Sequence, residues 1–119
     1  MSSLKNRVYL IGNLGQNPEV KKLDSGKTVS HFTLATSEEF KNSDGQKVKE
    51  TTWHNIVVWN GLADRSGKWL KKGSQVAVEG RLVYRSYEDK NGATKYITEI
   101  VAHDLLFLRL TKDQEGKQE

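Results

Sequence analysis

The sequence predicts an all-β domain with one short helix, a five-stranded Greek-key barrel with long protruding hairpins. Three observations predict it. Five segments rich in β-branched and aromatic residues are bounded by Gly, Pro, Asn and Asp. The one segment with a helical period falls between the third and fourth of them. Hydrophobic residues make up only 35% of the chain, so the core should be small and ordered by sheet pairing.

The first strand is Arg7 to Leu14, R-V-Y-L-I-G-N-L. It is apolar on both faces, because Val8 and Leu10 alternate with Tyr9 and Ile11. Gly12 within it suggests a bulge or a sharp bend, and Gly15 and Pro18 mark the turn that follows. The second strand runs from Thr28 to Thr36, with Phe32 and Leu34 on one face. Asn42-Ser43-Asp44-Gly45 supplies turn chemistry, and Lys47 to Asn60 is the third strand. Gly61 to Lys72 is the helix. Leu62, Ser66, Trp69 and Leu70 form a weak apolar stripe that assigns Trp69 to packing, and Lys71-Lys72-Gly73 is a stop signal. Gln75 to Glu88 alternates cleanly: Val76, Val78, Leu82 and Tyr84 lie on one face, Glu79, Arg81, Arg85 and Tyr87 on the other. Asp89-Lys90-Asn91-Gly92 is a hairpin turn. Thr94 to Leu110 is the fifth strand, with a break expected near His103-Asp104.

This order of elements matches an oligonucleotide/oligosaccharide-binding barrel. One domain is expected over residues 1–110, followed by a disordered polar tail over 111–119. The chain of 119 residues has 19 Lys+Arg against 15 Asp+Glu, a net charge of +4. That mild excess does not name a polyanionic partner by itself; its distribution matters more. The absence of cysteine removes disulfides, thiolate metal sites and a cysteine nucleophile. No apolar run reaches the length of a membrane span, and Met1-Ser2-Ser3-Leu4-Lys5 lacks the apolar core of a secretory signal. A cytoplasmic protein with no membrane partner is the expectation.

The third strand contains T-T-W-H-N-I-V-V-W-N, Thr51 to Asn60. Trp53 and Trp59 are separated by an even number, so they share a face with Asn55 and Val57. Ile56 and Val58 point the other way with His54 and suffice for the core. The tryptophans are therefore assigned to an outer surface, with core packing and a subunit interface as the other uses of such a pair. Arg81, Arg85 and Tyr87 lie on one face of the fourth strand, and Phe40 sits at the mouth of a hairpin beside Lys41. Aromatic planes interleaved with cations suit single-stranded nucleic acid: every base has a π-face to stack, and the cations meet phosphates.

Five motifs carry a resemblance: G-N-L-G-Q-N-P-E-V (Gly12 to Val20), L-A-T-S-E (Leu34 to Glu38), T-W-H-N-I-V-V (Thr52 to Val58), L-K-K-G-S-Q-V-A-V-E-G-R-L (Leu70 to Leu82) and Y-I-T-E-I-V (Tyr96 to Val101). In order and spacing, from about Asn6 to Leu110, the chain resembles the bacterial single-stranded DNA-binding proteins. The resemblance implies sequence-independent binding and wrapping of single-stranded DNA in replication, recombination and repair. It implies a homotetramer, with a dimer as fallback, in a bacterial, nucleoid-associated setting. It puts base stacking on Phe40, Trp53, Trp59 and Tyr87, and phosphate contacts on Arg7, Lys49, Lys72 and Arg85; Arg81 joins them from the alternation of the fourth strand. It puts His54 at a subunit interface, and the two-faced apolar character of the first strand adds Tyr9 and Ile11. Ser86 and Gly61 stand where the family often has lysine. The family's acidic C-terminal tip, which recruits replication and repair proteins, has no counterpart in Gly116-Lys117-Gln118-Glu119, so no such partner is assigned.

Other classes are weighed against this. His31, His54 and His103 lack metal-ligand spacing, and Gly12-Asn13-Leu14-Gly15 is not a phosphate loop. Neither a catalytic residue nor a cofactor is expected. A saccharide-binding barrel would use aromatics without the interleaved cations. A dimeric primosome-type relative of replication restart is the alternative within the same fold.

Overall fold

The computed structural model describes residues 4–111. Seven elements follow in order: β1 (Val8–Leu14), β2 (Glu19–Lys22), β3 (Thr28–Lys41), β4 (Lys47–Trp59), α1 (Asn60–Trp69), β5 (Gln75–Glu88) and β6 (Thr94–Arg109). The strands lie in the order β1-β5-β6-β4-β3-β2, and β1 also pairs with β3. That last pairing closes β1, β5, β6, β4 and β3 into the expected five-stranded barrel, with β2 as an added edge strand. Every pairing is antiparallel except β4 with β6, where Ile56 stands beside Ile100 and Val57 beside Val101.

Alternation sorts the side chains. Phe32 and Leu34 from β3, Ile56 and Val58 from β4, and Val76 and Val78 from β5 all point inward and are buried. From α1, Ala63 joins the same core, as does Leu70 just beyond the helix. Ser66 of α1 is buried; its hydroxyl donates to the Ala63 carbonyl (2.8 Å), which leaves its oxygen to accept from the Ser30 hydroxyl, 3.0 Å away. A buried hydroxyl is tolerable because it is bonded in this way.

Two hairpins extend beyond the barrel, and both are closed alike. Asn42 Oδ1 accepts from the Asp44 and Gln46 amides. Asp89 Oδ1 accepts from the Asn91 and Ala93 amides. The glycines that follow, Gly45 (φ 79°) and Gly92 (φ 80°), take the left-handed conformation that the turns need.

Several expectations are corrected. β2 was not predicted: its four residues are all exposed, and so short a stretch carries almost no period. Asp24-Ser25-Gly26, which turns β2 into β3, is the signal that marks it. β6 is not broken at His103-Asp104. The strand continues through a β-bulge: Glu79 pairs with Asp104 and Gly80 with Ala102, leaving His103 as the extra residue. The bulge shifts the inward set from Ile100 and Ala102 to Leu105 and Phe107. Gly12 is not a bulge either. It pairs in regular register with Val76, and a Cβ there would overlap the Ala35 carbonyl oxygen, so it marks a close crossing of β1 over β3. Trp69 does not pack into the core: it is 48% exposed, with Lys68 Nζ 5.4 Å from its ring centroid. The helix ends at Trp69, and the chain turns extended at Leu70, which takes the buried place. Of the expected tail, Thr111 is described and its amide lies 3.3 Å from Ser74 Oγ; residues 112–119 lie outside the described residues.

Phe32→Ala should therefore cost about 3–5 kcal/mol of stability. Trp69→Ala, removing a half-exposed ring, should stay within about 1 kcal/mol. Urea denaturation of the two variants measures both.

Candidate nucleic-acid interface

The register determines which side chains share the outer surface. Directly paired residues in a sheet point to the same face. Trp59 pairs with Val29, Val57 with His31, Asn55 with Thr33 and Trp53 with Ala35. β2 adds Glu19 beside His31 and Lys21 beside Val29. Across the parallel pairing, Val57 meets Val101, and from there the face passes to Arg81, Val83, Arg85 and Tyr87 of β5. An open groove of about 830 Å³ runs over this face, with Trp59, Val57, Val83, Arg85, Glu99 and Val101 among its lining.

Trp59 and Trp53 are 39% and 59% exposed. Trp53 lies against Gly15, where a Cβ would overlap its Cζ3. Trp59 is the last residue of β4. The next residue, Asn60, has φ 59° and turns the chain into α1. Asn is among the few non-glycine residues that tolerate this conformation.

The structure brings Trp53, Trp59, Arg81, Arg85 and Tyr87 to one outer face, and Lys49, paired opposite Glu39, shares the Trp53 side of the β3–β4 ribbon. It does not bring all the expected residues there. Phe40 pairs with Val48 and has the parity of Thr36 and His54, so it occupies the opposite face of the ribbon. Lys72 lies beyond α1, where its amide donates to Asn17 Oδ1 at 2.8 Å. Arg7 is drawn to another surface. Its Nη1 lies 2.7 Å from His103 Nδ1 and 3.5 Å from Glu79 Oε2, and its side chain is largely covered.

That other surface holds Tyr9 and Ile11. Both are exposed, and with Ala77, Leu105 and Leu106 they border an apolar depression of about 450 Å³. His54 lies elsewhere, on the inward parity of β4 but beyond the sealed core. Its Nε2 is 2.9 Å from Thr36 Oγ1, and burial lowers its pKa.

Sequence reasoning missed Glu99. Arg85 Nε donates to Glu99 Oε1 (2.9 Å) and Nη2 to Oε2 (3.0 Å). Glu99 raises the Arg85 pKa, first through these hydrogen bonds and then through its charge. The Asp89–Gly92 turn predicts this pair. Once Glu88 is set opposite Thr94, Val83 falls opposite Glu99 and Arg85 becomes its diagonal neighbour.

The model of the single-strand binding protein family matches residues 5–108. The chain belongs to that family. It is 52% identical over 112 residues to single-stranded DNA-binding protein 1 of Chlorobaculum tepidum, covering 93% of this chain and 68% of that protein. It is 40% identical to the single-stranded DNA-binding protein of Neisseria meningitidis serogroup A, covering 93% of this chain and 64% of that one. The chain thus spans about two thirds of the length of these relatives. Among solved structures, the Plasmodium falciparum SSB complex with single-stranded DNA superposes with a TM-score of 0.82 at 36% identity, covering 91% of this chain and 98% of that chain. A deletion mutant of the Thermus aquaticus single-stranded DNA-binding protein gives 0.76 at 28% identity, covering 90% of this chain and 54% of that one.

The lowered pKa of His54 has a stability consequence. The unfolded chain binds a proton near the ordinary histidine value, about 6.5, while the folded chain resists it to lower pH. Below that value the unfolded state holds more protons, so stability rises with pH. The contribution is complete above the ordinary value and is lost as pH falls through the lower folded one. Denaturation of wild type and His54→Gln between pH 7.5 and pH 5 should show part of this dependence vanish in the variant.

Proposed function

We propose that the chain binds single-stranded DNA, with little sequence preference, along the outer face that carries Trp53, Trp59, Arg85 and Tyr87. The observation that carries this reading is the continuity of that face. Two exposed indoles share that face, and one of them, Trp59, borders a groove floored by valines with Lys21 and Arg85 at its edges. Indole and phenol faces accept any base, at about 1–3 kcal/mol per stack. Lys49 and Arg81 stand beside the stacking positions for phosphates. Lys72, and Phe40 from the other face of its ribbon, meet a strand that passes round the barrel rather than along one groove. The relatives named single-stranded DNA-binding proteins, and the Plasmodium protein solved with single-stranded DNA, support this reading. The role is binding rather than catalysis, in replication, recombination and repair, in a cytoplasmic, nucleoid-associated setting. No helix among the described residues is long and apolar enough to cross a membrane.

Titration with poly-dT should quench tryptophan emission, with affinity well above that for duplex DNA. Trp53→Ala and Trp59→Ala should each weaken binding by about 1–3 kcal/mol in a folded protein. Full affinity in both variants, or equal affinity for duplex, would reject the reading.

The assembly we infer is a homotetramer. Tyr9, Ile11 and Leu106 leave an apolar outer surface that a single barrel cannot cover, and symmetric association buries such surfaces. Joined barrels also align their DNA faces, and each further barrel then binds an already tethered strand. Ile11→Glu should shift the protein toward smaller species in sedimentation equilibrium and weaken binding to long poly-dT more than to a short oligonucleotide. A wild-type monomer at micromolar concentration contradicts the assembly.

A further inference from the structure

Glu99 is the only charged side chain that is buried among the described residues, at 6% exposure. It lines the groove together with Val57, Val83 and Val101. A carboxylate there is doubly unfavourable. It loses water among apolar neighbours, and it sets a negative charge into the path proposed for a polyanion. The cost of the first is offset by the bidentate bond to Arg85, the strongest kind of pairing available to a carboxylate.

The geometry of that bond constrains what Arg85 can do. Two of the three guanidinium nitrogens, Nε and Nη2, are committed to Glu99. The side-on edge is therefore occupied, only Nη1 and the outer hydrogen of Nη2 remain as donors, and the positive charge is balanced at close range. The flat faces of the guanidinium are not used by this bond, and the side chain is 55% exposed. A planar cation held rigidly by its edge offers a face on which a base can lie, as aromatic rings do. On the same outer face of β5, Tyr87 stands two residues further on.

Resting on the reading of the groove as a site for single-stranded DNA, we propose that Glu99 is a positioning residue that withdraws Arg85 from phosphate binding and presents its guanidinium as a stacking platform for a base. Arg85 then contributes to affinity without contributing to salt dependence. This departs from the phosphate role that the family resemblance implies for it.

The test is fluorescence titration with poly-dT over a series of salt concentrations. Arg85→Leu/Glu99→Leu removes both charges at once and keeps the net charge constant. Removing both charges together leaves no unpaired carboxylate buried in the groove, so this variant should fold. Its affinity should fall about tenfold through loss of the platform, with the slope of log K against log salt unchanged. Glu99→Gln keeps the shape but releases the Arg85 charge, and its slope should steepen by about 0.7, the value for one phosphate on a single strand. A double variant whose slope becomes shallower by about 0.7 would make Arg85 a phosphate anchor and overturn the inference. So would a Glu99→Gln slope equal to that of wild type. Failure of the wild type itself to bind poly-dT would instead overturn the reading of the groove.

Discussion

The two-residue alternation of β4 is the constraint on which the rest of the molecule depends. A barrel this small has one interior, and Ile56 and Val58 fill their share of it completely. Every odd-numbered residue of the strand is then committed to the outside. Moving β4 by one residue would put Trp53, Asn55, Val57 and Trp59 inside and expose the core set. Neighbouring strands inherit the same decision through their pairing. Val29, His31 and Val101 face outward because their partners Trp59 and Val57 do. The groove is thus not a separate construction. It is the outer surface that follows from packing the core.

Long strands then extend that surface past the barrel. Inside the barrel the two faces differ, one sealed as the core and one a partly covered groove in which Val57 and Glu99 are buried. Beyond it, on the β3–β4 and β5–β6 ribbons, both faces are open. Tyr84 and Tyr96 are exposed on one side of the β5–β6 ribbon while Arg85 and Tyr87 occupy the other. The alternation that separates core from surface in the barrel here separates two surfaces. Phe40 belongs to this regime, and so it lies on the opposite side of its ribbon from Trp53 although both are aromatic and exposed.

Most of the barrel was legible in the sequence because its strands are long and its turns use Asn, Asp and Gly. The outward placement of Trp53 and Trp59 was legible for the same reason: period two leaves no other place once Ile56 and Val58 are inside. What was not legible has specific causes. β2 is four exposed residues with no alternation to detect. Trp69 fits a helical stripe on paper, but the helix stops beneath it and the next residue takes the buried position. At His103 a bulge shifts the alternation, so the apolar run Leu105-Leu106-Phe107-Leu108 reads as a break when it is a continuous strand with a changed phase. The positions of Arg7 and Arg85 depend on acidic partners from other strands, Glu79 and Glu99. A count of cations along the chain cannot reveal which of them are already paired.

That pairing bears on how a chain of net charge +4 can serve a polyanion. Arg7 and Arg85 both face carboxylates that are already counted in that net charge, so neither of these two arginines offers an unbalanced charge to a phosphate. Affinity on the proposed reading must then come largely from stacking, which is short-ranged and little screened, rather than from counterion release, which weakens steeply with salt. Stacking needs flat groups fixed in place before the ligand arrives, since a ring that must first be ordered loses part of its contribution. Trp53 against Gly15 and Arg85 on Glu99 each satisfy this by a different local device. The carboxylate in the groove, unfavourable when considered by itself, belongs to the same design: it gives up one positive charge and leaves one more plane held in place.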